Sequence, residues 1–157
     1  MTDVTLAPAR PEHVDALNLL ILRSKAHWGY DAEMMNIMAR VLRLDMDALT
    51  AGRAMVGWRD GEALGVAQIS EPDAAADPET MELDLLFIAP EAIGTGLGRR
   101  LYDWALTQAR AAGCRRLEML SDPNAEPFYR ALGAVKVEDR PSRVVPGRTL
   151  PFFRHTL

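Results

Sequence analysis

The chain has 157 residues, of which 48% are hydrophobic and 25% charged, and its formal net charge is −4; these values are typical of one globular domain, here residues 1–157. The acidic balance argues against nucleic acid as a partner, and no apolar run approaches the ~20 residues that cross a membrane. A single cysteine, Cys114, excludes an internal disulfide and, with no signal-peptide core near the N-terminus, leads us to expect a cytoplasmic protein.

The N-terminal third of the chain predicts one strand and two helices. Residues 3–7 favour a short strand that Pro8 ends, and the apolar spacing that follows predicts a helix over residues 11–25. Gly29 breaks that helix. Asp31 can then cap a second helix, whose apolar residues recur at helical spacing: Met34, Met35, Met38 and Val41.

The middle of the chain predicts a hairpin, a further strand and a long helix. Residues 54–70 contain two strand patterns around Asp60-Gly61, a dipeptide typical of tight hairpin turns. After an acidic loop that contains proline, residues 80–90 predict a strand that ends at its proline. Helical periodicity begins at Leu97, and Gly113 is suited to end that helix.

The C-terminal third predicts a strand, a short helix and two more strands. Residues 115–121 and 134–139 have strand patterns, and the helix between them covers residues 124–132 and stops at Gly133. A turn at Pro146-Gly147 leads into the last strand. The complete order, β-α-α-β-β-β-α-β-α-β-β, predicts one α/β domain.

The segment IGTGLGRR, residues 93–100, places three glycines before the long helix. Glycines let the backbone approach a phosphate group, and a helix start supplies free N–H groups and a positive dipole end. A P-loop is excluded because Gly98 is followed by arginines rather than Lys-Ser/Thr. A dinucleotide site is disfavoured because the spacing is Gly-x-Gly-x-Gly after the fourth strand. A plain turn that binds nothing stays as an alternative.

A second segment, SDPNAEPFYRALGA over residues 121–134, has Asn124 as a candidate helix cap and carries Phe128-Tyr129, which could serve packing or chemistry. Together the two segments resemble the GNAT superfamily of acyl-CoA-dependent N-acyltransferases. The superfamily pattern is Arg/Gln-x-x-Gly-x-Gly/Ala after the fourth strand, then an Asn…Phe-Tyr helix. The element order agrees over nearly the whole chain. Two positions depart from the pattern, Ile93 for arginine or glutamine and Ala134 for an aromatic residue.

The resemblance implies a fold and a co-substrate. The fold is α/β (α+β), with a mixed, mostly antiparallel sheet of about seven strands, helices on both faces, and the fourth and fifth strands splayed apart. Acetyl-CoA would be the co-substrate, with direct transfer in a ternary complex and no metal. Its pyrophosphate, pantetheine arm and thioester carbonyl would meet these residues: Leu86, Phe87, Ile88, Gly94, Thr95, Gly96, Leu97, Gly98, Arg99, Asn124 and Phe128.

The same resemblance assigns the chemistry of proton transfer. Tyr129 matches the general acid that protonates the leaving thiolate. An amine of pKa ~10 is mostly protonated at neutral pH, so a base is useful. Glu82 is the first candidate for that base and Asp84 the second, and strand periodicity puts both on one face with Leu86 and Ile88. The alternatives are that water is the base, or that both carboxylates are only solvated or attract a cation.

The acceptor would bind where the first helix breaks, at His27, Trp28 and Tyr30. His27 could also transfer a proton, and a packed corner between two helices is the alternative interpretation. We expect an N-acetyltransferase that acts on the primary amine of a small molecule. The alternatives are a protein N-terminus or lysine as acceptor, a non-catalytic acyl-CoA-binding module, and a nicotinamide-dependent enzyme. The C-terminal hairpin either closes the pocket or pairs two copies in a homodimer.

Overall fold

The computed structural model describes residues 3–157. Its strands are β1 (Thr5–Pro8), β2 (Ala54–Arg59), β3 (Glu62–Ile69), β4 (Thr80–Ile88), β5 (Arg116–Leu120), β6 (Val135–Pro141) and β7 (Thr149–Thr156). Its α-helices are α1 (Val14–Ala26), α2 (Ala32–Val41), α3 (Met46–Thr50), α4 (Leu97–Ala111) and α5 (Glu126–Ala131). The strands form a sheet in the order β1-β2-β3-β4-β5-β7-β6.

The sheet is antiparallel except between β4 and β5, which are parallel. These two strands pair only from Thr80 to Glu82 on β4, opposite Arg116 to Glu118 on β5. β4 continues to Ile88 without that partner, so the strands splay apart and a cleft opens between them. The expected mixed sheet with splayed fourth and fifth strands is therefore confirmed.

Helices cover both faces of the sheet, as expected. On one face α1 contributes Leu17, Leu20 and Ile21 to an apolar cluster with β2 and β3. On the other face α4 packs through Leu97 and Leu101, among others, against β3, β4, β5 and β7. Each helix buries one apolar stripe, so both faces of the sheet are shielded from water.

A β-bulge in β4 changes which residues share a face. Leu85 pairs with Gln68 and Leu83 with Ile69, so Asp84 is the extra residue. Before the bulge, Leu83 packs in the core beneath α4; after it, Leu85 packs beneath α1. The periodicity is thereby shifted by one residue within the strand.

The bulge corrects the prediction that Glu82, Asp84, Leu86 and Ile88 share one face. Leu86 and Ile88 pack against the core on the α4 side. Asp84 instead accepts hydrogen bonds from Gln68 and Ser70, on the α1 side of the sheet, where the neighbouring Leu85 is buried. Strict alternation failed because the extra residue reverses the phase of the side chains that follow it.

Three local expectations also need correction. Helix α3, which Asp45 caps by accepting from the backbone N–H of Asp47, was not predicted, because it is too short to show periodicity. Pro8 is the last residue of β1 rather than the first residue after it; β1 is an edge strand, where a missing N–H is tolerated. Asn124 is not a helix cap: it lies inside a 3-10 turn, Pro123–Ala125, which Asp122 caps by accepting from the N–H of Asn124, and α5 begins after Ala125 without a side-chain cap.

The hairpin between β2 and β3 is confirmed. Asp60 and Gly61 both have positive φ, 52° and 77°, which a two-residue type I′ turn requires at both central positions. Glycine adopts this conformation freely, and aspartate is among the few other residues that tolerate it.

Candidate active site

A cavity of about 350 Å³ opens where β4 and β5 diverge. Its wall is built by the second half of β4, the glycine segment before α4, the end of α1, the turn that leads into α5, and the β6–β7 connection. The structure brings these predicted site residues to that wall: Trp28, Glu82, Asp84, Leu86, Phe87, Ile88, Gly94, Gly98, Asn124, Phe128 and Tyr129.

The glycine segment supplies a helix start without a protein cap. Gly94 and Gly96 have φ of 80° and 88°, and no atom lies within 4 Å of a Cβ built at either position. Gly96 is the N-cap of α4 and offers no side chain. The first N–H groups of α4 are thus available to an anion, with the positive end of the helix dipole behind them. This arrangement fits the pyrophosphate of an acyl-CoA.

Gly98 and the two arginines have different surroundings. A Cβ on Gly98 would lie 2.9 Å from Phe128 Cε1, so glycine there lets the Phe128 ring pack on α4. Arg100 donates to the carbonyl oxygen of Val4 at 2.7 Å, so this arginine has a structural partner within the chain. Arg99 is exposed at the helix start, where a cation opposes the helix dipole unless an anion is bound.

Tyr129 is buried in the cavity wall. Its ring lies among those of Tyr102, Phe128 and Phe153, with centroids 5.1–5.9 Å away. Burial, with smaller contributions from Tyr102 and Asp122, raises the pKa of Tyr129 well above its usual value. The hydroxyl therefore keeps its proton at neutral pH and is available as a hydrogen-bond donor in the cavity wall.

The two candidate bases have different partners. Glu82 forms an ion pair with Arg143 in the β6–β7 connection, with 2.8 Å between Oε1 and Nη1. Asp84 accepts from the Ser70 hydroxyl at 2.6 Å and from Gln68 Nε2 at 3.3 Å. No Lys, Arg or His nitrogen in residues 3–157 forms a salt bridge with Asp84. The charge of Glu82 is thus matched by a cation and that of Asp84 is not.

A polar group of side chains from four segments lies in and behind the cavity wall, and we call it the Asp122 cluster: Lys25, Tyr30, Asp122, Asn124 and Arg148. Lys25 Nζ lies 2.6 Å from Asp122 Oδ2, and each side chain is 9% exposed. The Tyr30 hydroxyl donates to the same oxygen at 2.5 Å and accepts from Arg148 at 2.7 Å. Asn124 donates from its backbone N and from Nδ2 to Asp122 Oδ1 at 2.8 and 2.9 Å.

The cluster determines the charge of its members. Burial would raise the pKa of Asp122, but the charge of Lys25 and the hydrogen bonds from Lys25 and Tyr30 outweigh burial and hold that pKa below its usual value. Burial lowers the pKa of Lys25, and the Asp122 carboxylate opposes this by favouring the charged amine. Asp122 is therefore ionised at neutral pH, and the pair adds no net charge to the cavity wall.

The predicted acceptor residues are divided by the structure. Trp28 lines the cavity and is 43% exposed. His27 is exposed, packs edge-on against Trp28 at 4.9 Å between centroids, and does not line the cavity. Tyr30 belongs to the Asp122 cluster behind the wall. Thr95, whose hydroxyl donates to the Ala92 carbonyl, also lies outside the lining.

Several residues near the cavity were not predicted from the sequence. Lys25 and Asp122 are 97 positions apart in the chain, and Arg143 and Glu82 are 61 apart. No local pattern marks such pairs. The one available signal was Asp122 itself, an aspartate next to Pro123 and just before a helix, which is a common capping position.

A family model described as acetyltransferase (GNAT) family matches residues 21–134, which is more than half of the chain. The chain belongs to the GNAT acetyltransferase family. Its membership confirms the expected enzyme class, an acyltransferase. No curated protein matches its sequence. Within residues 3–157, no helix is long and apolar enough to cross a lipid bilayer.

Solved GNAT structures share the architecture of this acetyltransferase. A GCN5-related N-acetyltransferase from Rhodopseudomonas palustris has a TM-score of 0.78 and 22% identity, covering 100% of this chain and 98% of that one. PaiA N-acetyltransferase from Thermoplasma acidophilum, in complex with coenzyme A, has a TM-score of 0.77 and 13% identity, covering 98% of this chain and 99% of that one. A GNAT acetyltransferase from Brucella melitensis, in complex with acetyl-CoA, has a TM-score of 0.64 and 20% identity, covering 99% of this chain and 89% of that one. At these identities the likeness concerns the fold.

Proposed function

We propose that this GNAT acetyltransferase is a cytoplasmic, single-domain enzyme that transfers acetyl from acetyl-CoA to the primary amine of a small molecule. Acetyl-CoA is the acyl donor, in keeping with the family and with the CoA and acetyl-CoA bound by two relatives. The observation that carries the proposal is Tyr129, a protonated phenol in the wall of the cavity between the splayed strands.

The donor is held by backbone more than by side chains. The open glycine segment at Gly94–Gly98 and the start of α4 receive the pyrophosphate, with Arg99 beside it. Beyond Glu82, β4 has no β5 partner, so backbone groups at Leu86–Ile88 are available to an extended arm. An N–H in this stretch can polarise the thioester carbonyl.

The acceptor has to lose a proton before it attacks, because only the neutral amine is nucleophilic. Glu82 and Asp84 both line the cavity. Asp84 is the first candidate for the base, because no cation in the described chain neutralises it, whereas Glu82 is paired with Arg143. The thioester supplies an activated acetyl group, and Tyr129 donates a proton to the thiolate that leaves.

The test is the rate of CoA release with acetyl-CoA and a panel of primary amines. Tyr129→Phe is expected to lower kcat by ~10²–10⁴ with little change in acetyl-CoA affinity, because one proton transfer is lost. Tyr102→Phe is the matched control: its hydroxyl bonds to His155 at 2.8 Å and does not line the cavity. Equal rates for wild type and Tyr129→Phe would remove Tyr129 from the mechanism.

Absence of turnover with every amine, combined with tight CoA binding, would instead favour a non-catalytic acyl-CoA-binding module. A protein N-terminus or lysine is the other acceptor to test, with short peptides in the same assay. The homodimer predicted from the C-terminal hairpin stays a prediction, which the molar mass in solution would test.

A further inference from the structure

The cavity has apolar walls from three separate parts of the chain. Trp28 follows α1, Leu42 follows α2, and Val144 and Leu150 come from the β6–β7 connection and β7. Trp28 leaves 43% of its surface exposed, and an indole offers a large apolar contact area to a ligand. A ligand in this space would meet mainly hydrocarbon and indole surface.

The positive and negative charges that line the cavity do not balance. Lys25 is paired with Asp122 at 2.6 Å, and Arg143 with Glu82 at 2.8 Å. Asp84 is held only by neutral donors, the Ser70 hydroxyl and the Gln68 amide. Within residues 3–157 it is the charged group of the cavity wall that lacks an oppositely charged partner. One negative charge is therefore uncompensated.

Arg148 does not alter this balance at the wall. Its guanidinium donates to the Tyr30 hydroxyl at 2.7 Å and lies 5.1 Å from the centre of the Tyr30 ring. It does not line the cavity, because the Tyr30 ring and the Lys25–Asp122 pair are its neighbours in the Asp122 cluster.

We infer that the acceptor is an amine with one positive charge, an apolar or aromatic body and no carboxylate. The inference rests on the proposed function and names its substrate class. The ammonium group binds at Asp84, and the apolar body packs among Trp28, Leu42, Val144 and Leu150.

An amino acid is disfavoured by the same charges. In the described part of the chain, the two cations that line the cavity, Lys25 and Arg143, already hold Asp122 and Glu82. Taking Lys25 would leave Asp122 buried without a partner, which is strongly unfavourable. A polyamine is disfavoured because its second ammonium would lie against apolar side chains with no carboxylate to meet it.

The experiment compares matched pairs of acceptors with the full-length enzyme and saturating acetyl-CoA. Tryptamine and tryptophan, and phenethylamine and phenylalanine, differ only in the carboxylate; spermidine supplies charge without an aromatic body. We expect kcat/KM for each amine to exceed that of its amino acid by at least ~30-fold, since a desolvated, unpaired charge costs 2–5 kcal/mol. Spermidine should be the poorer substrate than tryptamine. Equal or better turnover of the amino acids or of spermidine would overturn the inference.

Two variants connect the selectivity to the named residues. Asp84→Asn should reduce the ratio of tryptamine to tryptophan turnover, whatever its effect on the absolute rate; an unchanged ratio counts against Asp84. Trp28→Ala should raise KM for tryptamine. Trp58→Ala should not, because this indole lies on β2 outside the cavity.

Turnover of amino acids only would overturn this inference and leave the acetyltransferase function standing. No turnover of any amine would overturn both.

Discussion

Glu82 and Asp84 lie two positions apart on β4 but have unlike surroundings. Arg143 reaches Glu82 from the β6–β7 connection, and it is itself largely exposed. Asp84 is the extra residue of the β-bulge and is fixed by Ser70 and Gln68. Bulges occur often beside active sites because they redirect a side chain, and here the bulged residue is the carboxylate without a cation.

We predict that the two carboxylates separate in their pH–rate profiles. If Asp84 is the base, Asp84→Asn should lower kcat/KM by ~10²–10⁴ near neutral pH. The loss should shrink as the pH approaches the pKa of the free amine, because the amine then loses its proton to solvent without a base. Glu82→Gln should keep the profile of the wild type. The measurement is kcat/KM across pH with one amine acceptor. The same pH-dependent loss in Glu82→Gln alone would assign the base to Glu82.

A second prediction at the residue scale concerns Lys25 and Asp122. Asp122→Asn leaves a buried cation unpaired, so we expect a loss of about 3–5 kcal/mol in the free energy of unfolding. Lys25→Met combined with Asp122→Asn should recover much of that loss, because both charges are then removed. Urea unfolding of the two single variants and the double variant gives the coupling energy. Additive losses would mean that the pair is not coupled.

The pair also predicts a pH dependence with a definite sign. The pKa of Asp122 is lower in the folded protein than its usual value. Its contribution to stability is therefore complete above the usual aspartate pKa and is lost as the pH falls through the lower, folded value. Acidification should destabilise the wild type more than Asp122→Asn. Parallel unfolding curves at acidic and neutral pH check this difference.

At the scale of elements, α4 and α5 meet through one glycine. Gly98 lies in the first turn of α4, and a Cβ there would come within 2.9 and 3.1 Å of two atoms of the Phe128 ring on α5. The close approach positions Phe128 and the adjacent Tyr129 in the cavity wall. Gly98 belongs to the predicted phosphate-binding segment, and it also allows α5 to pack closely on α4.

We predict that Gly98→Ala lowers the free energy of unfolding by ~1–3 kcal/mol, as overpacking does, although alanine is the better helix former. The displaced Phe128 ring should also weaken acetyl-CoA binding. Arg99→Ala, the exposed neighbour, is the control: it should weaken binding without loss of stability. Thermal unfolding and calorimetric titration separate the two effects, and unchanged stability in Gly98→Ala would contradict the packing role.

At the scale of the whole molecule, the cavity depends on where the sheet stops pairing. β4 and β5 pair for three positions and then diverge, and the two halves of the sheet continue on either side of the cleft. One wall carries β1 to β4, and the other carries β5, β7 and β6. A ligand that extends β4 would therefore bind between both halves and stabilise the entire fold.

We predict that acetyl-CoA and CoA raise the unfolding midpoint and that NADH does not. A ligand at 100 times its dissociation constant contributes ~2.7 kcal/mol, which corresponds to roughly 5–10 °C for a chain of this size. The measurement is thermal unfolding with each ligand in parallel. A larger shift with NADH than with CoA would contradict the assignment of the glycine segment to acyl-CoA.

The elements themselves were largely predictable from the sequence. The helices α1, α2, α4 and α5, the Asp60-Gly61 hairpin and the sequence of strands along the chain followed from periodicity and turn residues, which act over a few positions. Helix α3 and the extent of β1 were not, because a five-residue helix shows too little periodicity and an edge strand tolerates proline.

The features of the candidate site likewise fall into those that local sequence predicts and those that depend on contacts between distant segments. The sequence by itself identified the glycine segment and, through the resemblance to GNAT proteins, predicted Asn124, Tyr129 and the two carboxylates on β4 as site residues, because each lies in a short local segment. Only the tertiary structure decided that the bulge reverses the faces of β4, that Arg143 neutralises Glu82, and that Lys25 neutralises Asp122. The physical reason is that charge pairing and strand register depend on segments far apart in the chain, which local propensities do not encode.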